Sequence, residues 1–231
     1  MSKKCKDSYN CEKCKDLEYI IDKETNTGIP CECREKNIYK RILEKSGIAD
    51  SFRKIGFKEY KIKNKECNEA KNASIEYTKM FETIEKERNN SICFIGNVGT
   101  GKTHLSISIA NNLMYRNIGV LYMPYREVIT KIKQNMLDEL EYNKTINKYK
   151  NARVLLIDDL FKGKITESDL NIMFDIINHR YLNRMPLIVS SEFNQNKLLD
   201  FDEAVGSRII EMCKNYIIEF KETKNYRVKT N

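Results

Sequence analysis

One short motif constrains the fold of this chain more than any other feature of its sequence. A glycine-rich stretch, GNVGTGKT, occupies residues 96–103 and fits the pattern G-x-x-x-x-G-K-[ST]. An apolar run precedes it at residues 92–95, and a segment with helical spacing follows at residues 104–116. Such motifs bind phosphate in this strand–loop–helix context. The sequence therefore predicts an α/β domain that binds a nucleotide.

Each residue type in the motif has a physical reason to face phosphate. Glycines allow backbone conformations that direct successive N–H groups at an anion, and the following helix adds its positive dipole end. Lys102 is expected to reach the β- and γ-phosphates, and the Thr103 hydroxyl to bind Mg²⁺. The expected nucleotide contacts are Gly96, Asn97, Val98, Gly99, Thr100, Gly101, Lys102, Thr103 and His104. For His104, a purely structural role is the alternative.

A second signal is an apolar run at residues 154–157 that ends in two acids, Asp158 and Asp159. Such a strand places carboxylates at the carboxyl edge of a parallel sheet, beside the phosphates. Asp158 is expected to hold Mg²⁺, directly or through water. Asp159 is expected to orient and deprotonate the attacking water. The alternative for Asp159 is a cap on the following helix.

Short apolar runs alternate with amphipathic stretches from residue 91 onward, which is typical of βαβ units around a parallel sheet. The predicted strands are residues 91–95, 119–123, 152–157, 186–190 and 216–220. One run separates the phosphate-loop strand from the acidic strand along the chain. With the tandem acids, this order favours ATP-hydrolysing motor-type proteins over GTPases and small-molecule kinases.

Composition narrows the class of protein further. The 231 residues are 41% hydrophobic and 32% charged, which is typical of a globular chain. No apolar run is long enough to span a bilayer, and the polar start does not resemble a signal peptide. A cytoplasmic protein without membrane contact is therefore expected. The net charge of +8 is concentrated in residues 1–65, which is compatible with nucleic-acid binding or simply with a solvated surface.

Five of the eight cysteines lie in the first 33 residues. Cys11 and Cys14 form one close pair, and Cys31 and Cys33 form another. Four thiolates can enclose a tetrahedral Zn²⁺, and a segment with so few apolar residues needs such a stabilising centre. We therefore expect a zinc site, with Cys5 as a possible substitute ligand. The alternative is a set of reduced thiols facing solvent.

The segments GNVGTGKTHL, VLLIDDLF, PLIVSS and GSRIIEMC resemble AAA+ ATPases of the DnaC/DnaI-type helicase-loader group, which includes the IstB transposition helpers. The cysteine-rich start is similar to that of loaders from Gram-positive bacteria and their phages. The resemblance implies ATP, Mg²⁺ and Zn²⁺ as cofactors. It implies a replicative DNA helicase and single-stranded DNA as partners, and an ATP-dependent homo-oligomer.

The resemblance also implies roles for individual residues. Ser190 and Ser191 fall at the family's first sensor, and Ser191 is the expected nucleotide contact, although Glu192 stands where Asn is common. Arg208 resembles the arginine finger that completes a neighbouring subunit's site. Arg227 resembles the second sensor. For both arginines, surface salt bridges are the alternative. Few residues follow Phe220, so the helical lid of larger relatives is expected to be absent.

Residues 125–134 form an amphipathic segment after the second strand of the predicted domain. In the family, this helix contributes to contact with single-stranded DNA. Arg126, Lys131 and Lys133 are the expected contacts, with Tyr125 able to stack on a base. A solvated helix face is the alternative.

These observations predict three segments and one leading function. Residues 1–36 are a zinc-binding domain, residues 37–90 a helical linker and the start of the ATPase module, and residues 91–231 the AAA+ domain. The leading hypothesis is an ATPase that loads the replicative helicase onto single-stranded DNA. A transposition helper and a stand-alone P-loop kinase are the alternatives, and the cysteine-rich start favours the loader.

Overall fold

The structure is a computed structural model that describes residues 9–22 and 27–221. Its strands are β1 (Tyr19–Asp22), β2 (Thr27–Pro30), β3 (Ile92–Gly96), β4 (Val120–Pro124), β5 (Val154–Leu160), β6 (Leu187–Ser191) and β7 (Ile217–Phe220). Its α-helices are α1 (Cys33–Lys45), α2 (Lys65–Ile84), α3 (Lys102–Tyr115), α4 (Tyr125–Gln134), α5 (Glu139–Lys150), α6 (Glu167–Leu182), α7 (Gln195–Phe201) and α8 (Glu203–Met212). A short 3-10 helix covers Asp50–Phe52.

Strands β3 to β7 form one sheet in the order β4-β5-β6-β3-β7, with every neighbouring pair parallel. The five apolar runs of the sequence correspond to these five strands, so the predicted α/β class with a five-stranded parallel sheet is confirmed. Strand β6 lies between β3 and β5 although it follows both along the chain. The segment after Phe220, on which the expected absence of a lid depends, lies outside the described residues apart from Lys221.

Two hydrophobic cores cover the two faces of this sheet. On β3, Ile92 and Phe94 face the core formed with α2 and α3, whereas Cys93 and Ile95 face the core formed with α4 to α8. The other central strands alternate in the same way. Because both faces are buried, the strands are nearly continuous apolar runs. This explains why the sequence pattern predicted the five strands.

A buried arginine joins the two chain segments that lead into β5 and β6 at the amino edge of the sheet. Arg180 of α6 is completely buried, and its guanidinium donates hydrogen bonds of 2.7–3.0 Å to backbone carbonyls. The acceptors are the carbonyl oxygens of Tyr149, Lys150, Ala152 and Pro186. Burial lowers the pKa of Arg180 to about 9, so the group stays charged at neutral pH. Its role is to hold the start of β5 and β6 together.

The N-terminal unit is a small hairpin followed by a helix. Strands β1 and β2 pair in antiparallel register, and Arg41 of α1 forms a bidentate ion pair with Glu18 before β1. Helix α1 packs against the phosphate-loop side of the main domain through Tyr39, Ile42 and Leu43. Residues 46–64, which contain the short 3-10 helix but no α-helix or strand, then lead to α2. None of the helices in the described part of the chain is long and apolar enough to cross a membrane.

Candidate functional site

The predicted phosphate loop has the backbone that its glycines permit. Gly96, Gly99 and Gly101 have φ angles of 120°, 73° and 97°, a region that residues with a side chain rarely adopt. At Gly96, a Cβ atom would lie only 2.3 Å from the carbonyl oxygen of Phe220. Helix α3 begins directly after the loop, so its free N–H groups face the same space. The loop can therefore hold an anion.

Lys102 lies folded against the loop that it follows. Its Nζ atom donates hydrogen bonds to the carbonyl oxygens of Gly96 at 2.7 Å and Asn97 at 2.5 Å. Burial lowers the pKa of Lys102, and the negative charges of Glu192 and Asp159 oppose this effect. The loop thus carries a cation that can turn toward a bound phosphate.

The Asp158 carboxylate accepts hydrogen bonds from three hydroxyl groups. Its Oδ1 atom accepts hydrogen bonds from Thr103 at 2.9 Å and Ser190 at 2.5 Å, and its Oδ2 atom accepts one from Tyr122 at 3.1 Å. Burial and the charge of Asp158 raise the pKa of Tyr122, which keeps the phenol protonated as a donor. Carboxylate and hydroxyl oxygens are ligands that suit Mg²⁺. The Asp158–Thr103 pair fits such an ion.

Asp159 occupies a distorted end of strand β5. Its φ angle is 57°, and the register with β6 shifts between Ile157 and Leu160. The backbone N–H of Asp159 donates to the Ser190 hydroxyl at 2.9 Å. Its side chain thereby separates from that of Asp158 and lines the cavity over the phosphate loop. The alternative role as a helix cap is wrong, because Thr166 caps α6.

Lys162 holds the carboxylate of Asp159. Its Nζ atom lies 2.8 Å from Asp159 Oδ2 and 2.8 Å from Glu192 Oε1. Burial lowers the pKa of Lys162, but the hydrogen bonds to the two carboxylates outweigh it and the pKa is raised. No motif in the sequence identified this lysine.

The cavity over the loop has a volume of about 480 Å³. One wall comes from a segment that the sequence had not linked to the site: Glu59, Tyr60, Lys61 and Lys63. The His104 ring contacts the Tyr60 ring edge-on at 5.3 Å, and its Nε2 atom lies 3.1 Å from the carbonyl oxygen of Gly56. His104 therefore lines the cavity and fixes this wall. Residues 59–63 have no hydrophobic periodicity, so the sequence could not predict that they line the nucleotide cavity.

Two predicted residues, Ser191 and Arg208, lie elsewhere. Ser191 is buried outside the cavity, and its hydroxyl donates to the carbonyl oxygen of Leu160 at 2.9 Å. Ser190 of β6 instead reaches the site through its hydrogen bond to Asp158, and Glu192, directly after β6, lines the cavity. Arg208 lies on α8, away from this chain's own cavity. Arg227 lies outside the described residues.

Helix α4 matches its predicted amphipathic character with two corrections, at Lys133 and at Tyr125. Val128, Ile129 and Ile132 are buried, as expected. Arg126 and Lys131 are exposed, whereas Lys133 is half-buried and forms an ion pair of 2.8 Å with Asp169. Tyr125 was predicted to stack on a base, and this is wrong. Its side chain is 3% exposed, and its ring packs edge-on against Phe161.

The four cysteines of the N-terminal unit come together as the sequence predicts. All four sulfur atoms lie within 4.8 Å of one another, and the Sγ–Sγ distances are 3.8 Å for Cys11–Cys31 and 3.4 Å for Cys14–Cys33. Backbone and side-chain hydrogen bonding with Cys14 lowers the pKa of Cys11 to about 7, which favours a thiolate. Cys5 lies outside the described residues.

The geometry of this cluster fits zinc. Four sulfurs at about 2.3 Å from one tetrahedral Zn²⁺ lie about 3.8 Å from one another. The β1–β2 hairpin brings the two sequence pairs together, because Cys14 precedes β1 and Cys31 directly follows β2. The cluster could therefore hold one zinc ion.

Comparison with known proteins agrees with this site. The family described as "Bacterial DnaA ATPAse domain" matches residues 54–213. The phage-like element PBSX protein XkdC of Bacillus subtilis is 37% identical, over 92% of this chain and 83% of its own length. The replicative helicase loader DnaC of Escherichia coli is 25% identical, over 76% of this chain and 69% of its own.

Among solved structures, a crystal structure of DnaI has a similar fold. It matches with a TM-score of 0.63 at 20% identity, covering 76% of this chain and 95% of DnaI. The fold and site define an AAA+ ATPase domain, which binds and hydrolyses ATP. The chain belongs to the DnaA/DnaC-type family of these ATPases.

Proposed function

We propose that this protein is an ATP-driven DNA-replication accessory factor that loads a replicative helicase onto single-stranded DNA. The observation that carries the proposal is the combination of two centres in one chain, a phosphate-loop site and a four-cysteine cluster. The relationship to the replicative helicase loader DnaC supports it. A helicase is the expected partner, and the protein is expected to act in the cytoplasm without membrane contact.

The nucleotide site has a division of labour in this proposal. Residues 96–104 bind the phosphates, with Lys102 turning from the loop carbonyls to the β- and γ-phosphates. Thr103 and Asp158 hold Mg²⁺, which neutralises charge on the phosphate oxygens when bound. Tyr122 and Ser190 fix the Asp158 carboxylate for that purpose through their hydrogen bonds.

In the proposed hydrolysis reaction, Asp159 is the general base. The oxygen of a water molecule forms a bond to the γ-phosphorus, while the bond to the bridging oxygen breaks and its electron pair stays on ADP. Asp159 accepts a proton of that water. Its exposure to the cavity supports this role, because its neighbour Asp158 is 7% exposed and fully engaged. Arg208 is proposed to complete the nucleotide site of a neighbouring subunit. Arg227, which lies outside the described residues, is proposed to contact the nucleotide as the second sensor.

The three segments of the chain take three tasks. The zinc-binding unit, residues 1–36, is proposed to carry the contact with the helicase. Residues 37–90 connect it to the ATPase domain, residues 91–231, and contribute the wall at Tyr60 to the nucleotide site. Because α1 packs against the phosphate-loop side of the domain, movement at the nucleotide can be transmitted to this unit.

Single-stranded DNA is proposed to contact helix α4. Arg126 and Lys131 are exposed there, and Lys133 lies beside them. Their positive charges can neutralise backbone phosphates. This contact needs no stacking by Tyr125.

The test is association with the replicative helicase of the source organism. We expect the two purified proteins to form a complex in ATP, and addition of the loader to increase unwinding by helicase on DNA coated with single-strand-binding protein. Asp159→Asn should form the complex but fail to release the helicase. Absence of the complex, together with binding to a transposase, would favour the transposition helper. ATP turnover that requires a small-molecule acceptor would favour the kinase.

A further inference from the structure

Lys162 lies between two cavities of the molecule. One is the nucleotide cavity, where Lys162 bridges Asp159 and Glu192. The other, which we call the α4 cavity, has a volume of about 420 Å³. Its lining residues are Tyr125, Arg126, Ile129, Thr130, Lys133, Gln134, Lys162, Lys164 and Asp169. A single side chain thus borders both the expected hydrolytic carboxylate and a separate site.

The α4 cavity is strongly basic. Four of its lining residues are cationic, and its one acid, Asp169, already forms an ion pair with Lys133 at 2.8 Å. Within residues 9–22 and 27–221, Arg126 and Lys164 have no ion pair with a carboxylate. The cavity therefore has positive charge available for an anion.

A buried hydroxyl group adds a second, independent indication of a ligand. Tyr125 is 3% exposed and lines the α4 cavity, and its hydroxyl has no hydrogen-bond partner among the described residues. Burial and the charge of Asp169 raise the pKa of Tyr125, so the hydroxyl keeps its proton. Leaving such a buried donor without a partner is unfavourable. An anion in the cavity would satisfy it.

The two cavities are also joined by backbone. Gly163 follows Lys162 with a φ angle of 94°, and a Cβ atom there would lie 3.8 Å from the guanidinium of Arg126. Phe161, just before Lys162, packs its ring against that of Tyr125 at 5.8 Å. A ligand that draws Arg126 and Tyr125 toward itself therefore acts on the segment that carries Lys162.

We propose that Lys162 is a positioning residue that restrains Asp159 until a backbone phosphate of single-stranded DNA occupies the α4 cavity. This rests on the proposed function, since it assigns the way in which DNA regulates the same ATPase site. In the structure, the Asp159 carboxylate pairs with the ammonium group of Lys162 at 2.8 Å. A phosphodiester beside Arg126 and Lys164 offers Lys162 a competing anion. When Lys162 turns to it, the Asp159 carboxylate becomes free to accept a proton.

The expected effect of Lys162 on the rate of ATP hydrolysis is small enough for DNA binding to reverse it. Lys162 and Asp159 are each about one-third exposed, so their ion pair is screened by solvent. Because exposed pairs of this kind contribute little, we expect a rate change of about three- to ten-fold when the pairs with Asp159 and Glu192 are both lost. DNA binding can supply that difference.

The experiment compares steady-state ATPase rates of four proteins with and without a single-stranded oligothymidylate. Lys162→Met should hydrolyse ATP about three- to ten-fold faster than wild type without DNA, through kcat and not KM, and gain little when DNA is added. Lys162→Arg retains a cation and should stay slow without DNA and respond to it. Lys144→Met removes one exposed lysine that lines neither cavity and should behave as wild type. Thermal melting checks that all four are folded.

The outcomes separate the two proposals. If wild type binds DNA and is stimulated, but Lys162→Met has an unchanged basal rate and equal stimulation, the role of Lys162 is overturned. If wild type neither binds nor responds to the oligonucleotide, the DNA part of the proposed function fails, and this proposal with it. Stimulation by inorganic phosphate alone, at the level reached with DNA, would overturn the assignment to a nucleic-acid strand.

Discussion

The Thr103 hydroxyl donates a hydrogen bond of 2.9 Å to Asp158 Oδ1, although the two residues are 55 positions apart in the sequence. They belong to the phosphate loop and to strand β5, and strand β6 lies between β3 and β5 in the sheet. Ser190 of β6 donates to the same oxygen atom. The site is thus assembled from the carboxyl ends of three neighbouring strands, and its two predicted magnesium ligands already touch.

Lys102 and Asp159 should affect different steps. Lys102→Ala removes the cation of the loop, and we expect nucleotide affinity to fall by about 100-fold or more, because charge-assisted hydrogen bonds contribute about 1.5–3 kcal/mol each. Asp159→Asn keeps the shape of the side chain but removes the base. It should bind ATP normally and hydrolyse it about 10²- to 10⁴-fold more slowly. Fluorescent-nucleotide titration and phosphate release measure the two effects. Equal hydrolysis by Asp159→Asn and wild type would remove Asp159 as the base.

Tyr122 should tune the response to magnesium. Tyr122→Phe deletes the hydroxyl that fixes Asp158 Oδ2 and leaves the ring in place. Partners of metal ligands typically contribute about 10-fold or more to metal affinity. We therefore expect the Mg²⁺ concentration for half-maximal hydrolysis to rise about 10-fold, with the maximal rate largely retained. Tyr115→Phe, at a side chain that is 77% exposed, is the matched control and should change nothing.

The zinc site should decide the folding of the N-terminal unit. Purified without chelator, the protein should contain about one Zn²⁺ per chain, because four thiolates complete a tetrahedral site. Cys14→Ser combined with Cys31→Ser should remove the metal, unfold residues 1–36 and weaken helicase binding, while nucleotide affinity stays. Elemental analysis and hydrogen exchange measure this. Cys67→Ala, outside the cluster, should keep the zinc, and a wild-type protein without zinc would end the assignment.

Sequence reasoning reached the parts of the site that have local patterns. The phosphate loop, the acid pair and the cysteine pairs each carry a fixed spacing, and the strands are marked by continuous burial. Tyr60 and Lys162 lie in irregular segments without such a pattern. Tyr122 lies on a predicted strand, but only the pairing of β4 with β5 brings its hydroxyl to Asp158. Tyr125 was misjudged for a related reason. A helix's first residue can face either way, and packing on Phe161 decides it.

Arg180 should be essential for stability. Arg180→Met leaves four buried carbonyl acceptors without their donor. At about 1–3 kcal/mol for each group that is not rescued by water, the free energy of unfolding should fall by at least about 3 kcal/mol. For a chain of this size, Tm should fall by about 6–12 °C. Arg153→Met, which loses a half-exposed ion pair with Glu85, should cost less than about 1 kcal/mol. Equal melting of the two variants would contradict the role of Arg180.

Arg208 has contacts within its own chain that the sequence did not suggest. The expectation was a helix that buries its Ile/Met face and leaves Arg208 free to project. Ile209 and Met212 are buried, but the Arg208 guanidinium donates to Asn178 Oδ1 at 3.0 Å and to the carbonyl oxygen of Ala204 at 2.6 Å. It also lies over the ring of Phe174 at 5.1 Å. To act on a neighbour's nucleotide, the side chain must leave these partners.

Those contacts are weak enough to be exchanged on assembly, because Arg208 remains partly exposed and none of its partners is charged. We therefore expect Arg208→Ala to bind ATP as wild type does. In the oligomer, it should hydrolyse ATP about 10³-fold or more slowly, as arginine fingers do in related phosphate-loop enzymes. Measuring both in the presence of DNA and helicase separates binding from catalysis. Loss of ATP binding by the variant would show a role within the chain.

Mixing two inactive variants tests whether the arginine acts in trans. The Arg208→Ala variant retains Asp159, and the Asp159→Asn variant retains Arg208. A site is complete when an Arg208→Ala subunit supplies Asp159 and its Asp159→Asn neighbour supplies the arginine. In a head-to-tail ring, about a quarter of the sites in an equal mixture have that order, and activity should return to about that fraction of wild type. A role within one chain predicts no recovery, because no single subunit carries both groups. Co-assembly shown by a tag on one variant, combined with no recovery, would return Arg208 to the contacts with Asn178 and Phe174.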